Sequence, residues 1–295
     1  MDLPSPFDKL NLVLAATPIG NVGDSTPRLR VALTEAELVA CEDTRRLRDL
    51  ARRLEVEVSA KLLAYHEHNE SELTARLLEV ASNGTKVLQV SDAGMPGISD
   101  PGFRLAREAS AAGIPFTVLP GPSAPLLALV ASGLPTDSFR FLGFLPRKTI
   151  TLEQTLQSMV REPETLIFLE SPRRTLETLA SLETVFGPDR PAAVARELTK
   201  THEEVLRGSL RSVRETLENR GEVLGEIVIV VGGFNKGLSG NEDVPPALLD
   251  KLEQLVQNGL RAKTAAKLLA DWFDSSAKQL YETHLKLSVG KLISF

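Results

Sequence analysis

Four short apolar runs in this chain each empty directly into a turn of glycine, proline and polar residues: TPIGN follows Ala16, SDAGMPG follows Val90, PGPSAP follows Leu119 and ESPRR follows Leu169. Strands that are apolar along their whole length are buried on both faces, and here they alternate with longer segments of helical periodicity. That pattern commits the chain to an α/β fold. Ligands of open α/β sheets bind where strands end, so the turns are expected to converge on one site. The pattern predicts strands at residues 10–16, 38–40, 87–90, 116–119, 166–169, 192–195 and 227–231, and helices at 70–82, 103–112, 124–132 and 175–186. Asn83-Gly84 and Gly113-Ile114-Pro115 close two of these helices with residues that suit a helix C-terminus.

The turn from Ser91 to Gly102, SDAGMPGISDPG, holds three glycines, two prolines and two aspartates. Glycine lets backbone approach closely, proline stiffens the path and aspartate supplies acceptors, a composition suited to a small polar ligand. With 295 residues there is room for two domains of ordinary size. One boundary is expected at Pro120-Gly121-Pro122, and another after Val231, where GGFNKGLSGNEDVPP reads as a linker. The expected organisation is an α/β domain over 1–121, a second over 122–233, a linker over 234–246 and an all-helical tail over 247–295, broken near Asp274-Ser275-Ser276.

A composition of 42% hydrophobic and 25% charged residues is that of a soluble globular protein, and a net charge of -5 excludes a uniformly basic coat while leaving room for local patches. Arg45, Arg46, Arg48, Arg52 and Arg53 form one such patch, although Glu42, Asp43 and Asp49 beside them also fit a solvated helix face. Cys41 is the only cysteine, which excludes an intramolecular disulfide and a cysteine zinc cluster and makes a reducing cytoplasm the natural setting. It is expected to be a small buried side chain and not a nucleophile. The N-terminal MDLPSPFDKL lacks the features of a signal peptide, and no apolar run reaches the ~18 residues a membrane span needs.

Several chemistries lack their motifs. G-x-G and G-x-x-x-x-G-K-[ST] are both missing, which sets aside a Rossmann dinucleotide site and a phosphate loop. H-E-x-x-H and G-x-S-x-G are missing too. His66 and His68, two apart, favour opposite faces of a strand or loop, so no metal is expected.

TPIGN, CEDTR at 41–45, YHEHNE at 65–70, SDAGMPGISDPG, PGPSA at 120–124, ESPRR at 170–174 and RELTKTHEE at 196–204 occur in this order. Together they resemble the ribosomal RNA small-subunit methyltransferase I family of the tetrapyrrole methylase superfamily, over roughly residues 10–233 and on into the tail. Met95 stands where that family more often has Thr, and Arg173 where it often has His.

The resemblance implies two α/β domains of the tetrapyrrole methylase type with a cleft between them, plus a small helical C-terminal module. It implies methyl transfer from S-adenosylmethionine, with no metal, to the ribose 2'-hydroxyl of a cytidine in the decoding region of 16S ribosomal RNA, by a cytoplasmic homodimer. Pro18, Gly20, Asp92, Ala93, Gly94, Ile98, Ser123, Ala124, Glu170 and Leu198 would line the donor pocket; for Ile98 and Leu198, plain core packing is an equal reading. A 2'-hydroxyl is a poor nucleophile and needs a base or nearby cation, for which Asp43, Glu170, Glu197 and Lys200 are the candidates, the last two also fitting a structural ion pair. Arg45, Arg46, Arg147, Lys148, Arg173 and Arg174 would face the RNA.

The tail GLRAKTAAKLLADWFDSSAKQLYETHLKL looks like a small helix-turn-helix module. Ala265, Ala266, Leu268, Leu269 and Trp272 fall at core spacing, and Arg261, Lys263, Lys267 and Lys278 are left to face RNA or solvent. Two other readings remain: carbon methylation of a tetrapyrrole, and a non-catalytic, donor-sensing RNA-binding or assembly factor.

Overall fold

Alternate residues of the first strand point to opposite sides, and both sides are covered. In β1 (Leu12–Ala15), Val13 and Ala15 join one apolar cluster with Leu29, Leu33 and Leu47, while Leu12 and Leu14 join another with Tyr65, Leu77 and Leu105. The structure, a computed structural model, describes residues 4–234, 246–273 and 276–292. Around β1 lie β2 (Leu38–Cys41), β3 (Lys61–Ala64), β4 (Val87–Val90) and β5 (Phe116–Leu119), all parallel, in the order β3-β2-β4-β1-β5. The crossovers that parallel strands demand are α1 (Pro27–Glu35), α2 (Thr44–Arg53), α3 (Glu70–Ser82) and α4 (Phe103–Ala111). α1 starts where Thr26 Oγ1 accepts from Leu29 N at 3.2 Å and Pro27 takes the first turn, where its missing N–H costs nothing.

The second sheet holds β6 (Phe139–Phe144), β7 (Thr165–Glu170), β8 (Pro191–Arg196), β9 (Glu204–Ser209) and β10 (Ile227–Val231) in the order β6-β7-β10-β8-β9. Only β6 and β7 run parallel; the other pairs are antiparallel. A connection as short as residues 197–203 can join only antiparallel neighbours. α5 (Ala124–Ser132) covers one face against Ile167, Ala195, Val228 and Val230. α6 (Thr149–Gln157), α7 (Thr175–Phe186) and α8 (Leu210–Arg220) cover the other, around Phe168 and Ile229.

β3, β6 and β9, which the sequence pattern did not announce, are edge strands. An edge strand is half wetted, so LVLA and IVIVV stand out in the centre while KLLA, FRFLGF and EVLRGS do not.

In the tail, α9 (Pro246–Gln257), α10 (Ala262–Phe273) and α11 (Ala277–Leu292) close around Leu252, Ala265, Ala266, Leu269 and Leu280. Leu268 and Trp272 do not join that core: they are 38% and 72% exposed. The buried arc of α10 runs through 265, 266, 269 and 270, and at 3.6 residues per turn 268 and 272 fall on its flank. Ser276 Oγ accepts from Gln279 N at 3.3 Å and so caps α11, as the expected break supposed. Residues 235–245, most of the expected linker, and 274–275 lie outside the described residues.

The turn after β5 passes so close to β1 that a Cβ built on Gly121 would stand 2.6 Å from Ala16 Cβ. Gly121→Ala is therefore expected to destabilise by about 1–3 kcal/mol in urea unfolding, as overpacking does. Adding Ala16→Gly should return part of the loss; additive effects would show that the two atoms do not compete.

Candidate functional site

The turns after β1 and β4 are joined by backbone, and the turn after β5 packs beside them through Gly121 and Pro122. Thr17 N donates to Gly94 O at 3.0 Å and Gly94 N to Thr17 O at 3.1 Å, while Thr17 Oγ1 donates to Ser91 O at 3.2 Å. Gly94, at φ +83, turns where a side chain would meet Ile19 and Pro122 O. The second domain closes on the same place. A Cβ on Gly20 would stand 2.5 Å from Lys200 Cγ and 2.8 Å from Thr199 Oγ1, and Asn21 N donates to Thr199 Oγ1 at 3.1 Å. Ile19, Ala93, Ala124 and Leu198 share one apolar cluster across the junction. Glu197 and Thr199, at φ +51 and +66, hold strained left-handed conformations in the loop that makes this contact.

Pro18, Ile19, Gly20, Asp92 and Ala93 line a depression of about 220 Å³ whose far wall is α2, through Arg46, Asp49, Leu50 and Arg53. A larger groove of about 490 Å³, between α2 and β3, shares no residue with the strand-end turns. Asp92 ties the wall together: Oδ1 accepts from Asp43 N at 3.0 Å, Oδ2 faces Arg46 Nη1 at 3.2 Å, and Asp92 N donates to Glu42 Oε1 at 3.2 Å.

The far end of the 91–102 turn is anchored from beneath. Gln89 Nε2 donates to Pro101 O at 3.1 Å, and Glu70 Oε1 accepts from Gly102 N and from Tyr65 OH, both at 3.2 Å. YHEHNE thus serves the turn as its foundation. Negative charge gathers here. Burial, then the charges of Glu42 and Asp92, push the Asp100 carboxyl up to about 7. Burial likewise raises Glu42, and burial with Asp92 and Asp43 pushes the Cys41 thiol up to about 12, which leaves it inert.

The four catalytic candidates are each engaged elsewhere. Asp43 caps α2 by accepting from Arg45 N at 2.8 Å and clamps the Arg45 guanidinium, whose hydrogen bonds hold its carboxyl well below the usual carboxylate range. Glu170, 3% exposed, accepts from Ser171 N at 2.7 Å and Thr178 Oγ1 at 2.6 Å, so its carboxylate is turned into its own loop. Lys200 Nζ lies 2.8 Å from Glu197 Oε1 and 3.3 Å from Glu226 Oε2, and Glu197 Oε1 also accepts from Glu226 N at 2.9 Å.

Of the cations, Arg147, Lys148 and Arg173 are exposed and have no ion-pair partner among the described residues. Arg45 pairs with Asp43 and Arg46 with Asp92. Arg174 is turned inward, donating to Leu145 O at 3.3 Å and Pro146 O at 2.9 Å. Ser123 and Ala124 stand at the start of α5 beside the joined turns, whereas Ile98 is exposed on the outer part of its loop. Ile19 lines the depression and Glu42 holds Asp92 N without either having been singled out, and Asp100 lies on the same 91–102 turn as Asp92; each lies inside a matched motif.

The family model described as Tetrapyrrole (Corrin/Porphyrin) Methylases matches residues 11–214. A protein of Mycobacterium bovis named Ribosomal RNA small subunit methyltransferase I is 42% identical over 276 residues, 93% of this chain and 94% of that one. A Synechocystis protein of the same name is 40% identical over 281 residues, 94% and 98% of the two chains. Among solved structures, the uroporphyrin-III-C-methyltransferase from Thermus thermophilus is similar with a TM-score of 0.50 at 25% identity, over 75% of this chain and 94% of that one.

Proposed function

Because the chain belongs to the tetrapyrrole methylase family, we propose that it transfers a methyl group from S-adenosylmethionine to small-subunit ribosomal RNA, at the ribose 2'-hydroxyl of a cytidine. The observation that carries this reading is the extent of the match. Relatives named for ribosomal RNA cover 93–94% of the chain, tail included, whereas the porphyrin enzyme covers 75%. That difference also weighs against tetrapyrrole carbon methylation.

The donor supplies an activated methyl on a sulfonium; the protein has to hold, orient and screen. The residues present suit such a molecule. Close-packed glycine backbone at Gly20 and Gly94 and apolar Ile19, Ala93, Ala124 and Leu198 form a wall, and Asp92 sets a carboxylate in it that can meet a cation, with Arg46, Asp49 and Arg53 across the depression. In the transfer the 2'-oxygen bonds to the methyl carbon, the carbon–sulfur bond breaks with its pair going to sulfur, and the hydroxyl proton passes to a base. Asp100 is the candidate for that role in this reading: it follows Ser99, which faces Gly143 of the second domain, burial and the charges of Glu42 and Asp92 push its carboxyl up to about 7, and the carboxylates of Asp43, Glu170 and Glu197 are committed to their own neighbours. Arg147, Lys148 and Arg173 hold flanking phosphates.

A cytoplasmic homodimer goes with this reading. Leu126 and Val130 of α5 are exposed as a covered interface would require of a single chain, and among the described residues no helix is long and apolar enough to cross a membrane. Small ribosomal subunits from cells lacking the protein should accept labelled methyl on one cytidine ribose. Subunits that bind the protein and donor yet take up no label would leave only the non-catalytic assembly-factor reading.

A further inference from the structure

β6 pairs with β7 with a register slip between Phe141 and Phe144, so that Phe141 stands beside Ile167 and Phe144 beside Leu169. Paired residues share a sheet face. Phe141, Ile167 and Leu169 belong to the apolar cluster that includes Ile19 and Ala93, so Phe144 projects from the face that looks toward the first domain. Yet it lies beyond the cover of that cluster and is 60% exposed. Its neighbour Gly143, at φ +62, comes so near the 91–102 turn that a Cβ there would stand 3.4 Å from Ser99 Oγ. On the other side Arg174 pins Leu145 O and Pro146 O, which fixes the path to the exposed, unpaired Arg147 and Lys148.

An exposed aromatic ring beside the donor turn, followed on a pinned loop by two unpaired cations, is the combination that holds an unstacked base and its adjoining phosphates. We propose that Phe144 is the platform on which the acceptor nucleobase stacks once it is turned out of the RNA, with Arg147 and Lys148 on neighbouring phosphates. The proposal rests on the RNA-methyltransferase reading above, and it gives the second domain the task of presenting the acceptor to the donor.

The test has two arms. With small ribosomal subunits lacking the methyl group as substrate, Phe144→Ala should raise KM about five- to a hundredfold, the range of one lost base–aromatic stack, with donor affinity within about twofold of wild type and Phe144→Tyr near wild type. Trp272 is the only tryptophan. In a Trp272→Phe background, Phe144→Trp should therefore report alone, its fluorescence quenched by a single-stranded oligocytidylate. An unchanged KM in Phe144→Ala, or an absent quench, overturns the platform. So does a fall in donor affinity, which would make the ring a donor wall, or a sedimentation shift from dimer to monomer, which would make it an interface between copies. A quench with no methyl transfer by wild type supports the platform and overturns the methyltransferase reading instead.

Discussion

Asp100→Asn should yield a protein that is more stable at pH 8 and far slower. The carboxyl is pushed up to about 7 by burial and by Glu42 and Asp92, from an ordinary value near 4. Below about pH 4 it is protonated in folded and unfolded chains alike and the substitution changes nothing. Between about pH 4 and 7 the unfolded chain releases a proton that the folded chain retains, so wild-type stability falls as pH rises; above about 7 the penalty is complete. Asparagine never incurs it. After solvent screening of a part-exposed side chain, the gain at pH 8 is on the order of 1–2 kcal/mol, shrinking to about a third of that at pH 5. Urea unfolding at the two pH values measures it. An equal gain at both would mean that packing, not charge, is responsible. Turnover should fall by about 10²–10⁴ if Asp100 accepts the proton. Stability gained where activity is lost is the trade expected of a strained functional residue. A stabilised variant with full turnover would remove Asp100 from the chemistry while leaving its titration intact.

Asp92→Ala should weaken donor binding roughly ten- to a hundredfold. The substitution leaves Asp43 N without its acceptor, a loss of about 1–3 kcal/mol for a partly buried donor, and frees the 91–102 turn from the start of α2. The Arg46 contact adds little, because that guanidinium is largely in solvent. Asp92→Asn separates the two causes. If Oδ1 holds the wall by its hydrogen bond, asparagine retains most of the affinity; if negative charge draws the sulfonium, asparagine falls as far as alanine. In the second case discrimination between the donor and its uncharged thioether product should fall in step. Calorimetry with both compounds reads this directly. Wild-type affinity in Asp92→Ala would place the donor elsewhere.

The central strands and the motif order were legible because both are local. LVLA and IVIVV are buried on both faces and apolar throughout, VLQV departs only at Gln89, whose buried amide donates to Pro101 O, and a turn that brings backbone close to a ligand draws on glycine and proline. From these the sequence alone determined an α/β chain, the glycine- and proline-rich turns at its strand ends and the family it resembles. It could not determine what depends on partners distant in the chain. Three of the four edge strands, β3, β6 and β9, carry no continuous apolar signal, because water replaces one neighbour, whereas the fourth, β5, is still legible as FTVL. Glu170 and Arg174 look alike as motif residues, yet folding turns both inward, one onto Thr178 and one onto the carbonyls of Leu145 and Pro146. Trp272 holds a helical core spacing and is left outside, because only packing decides which arc of a helix is covered. Asp100 is one aspartate among many until Glu42 and Asp92 are brought beside it, since a proton affinity is set by burial and by charges that tertiary structure gathers.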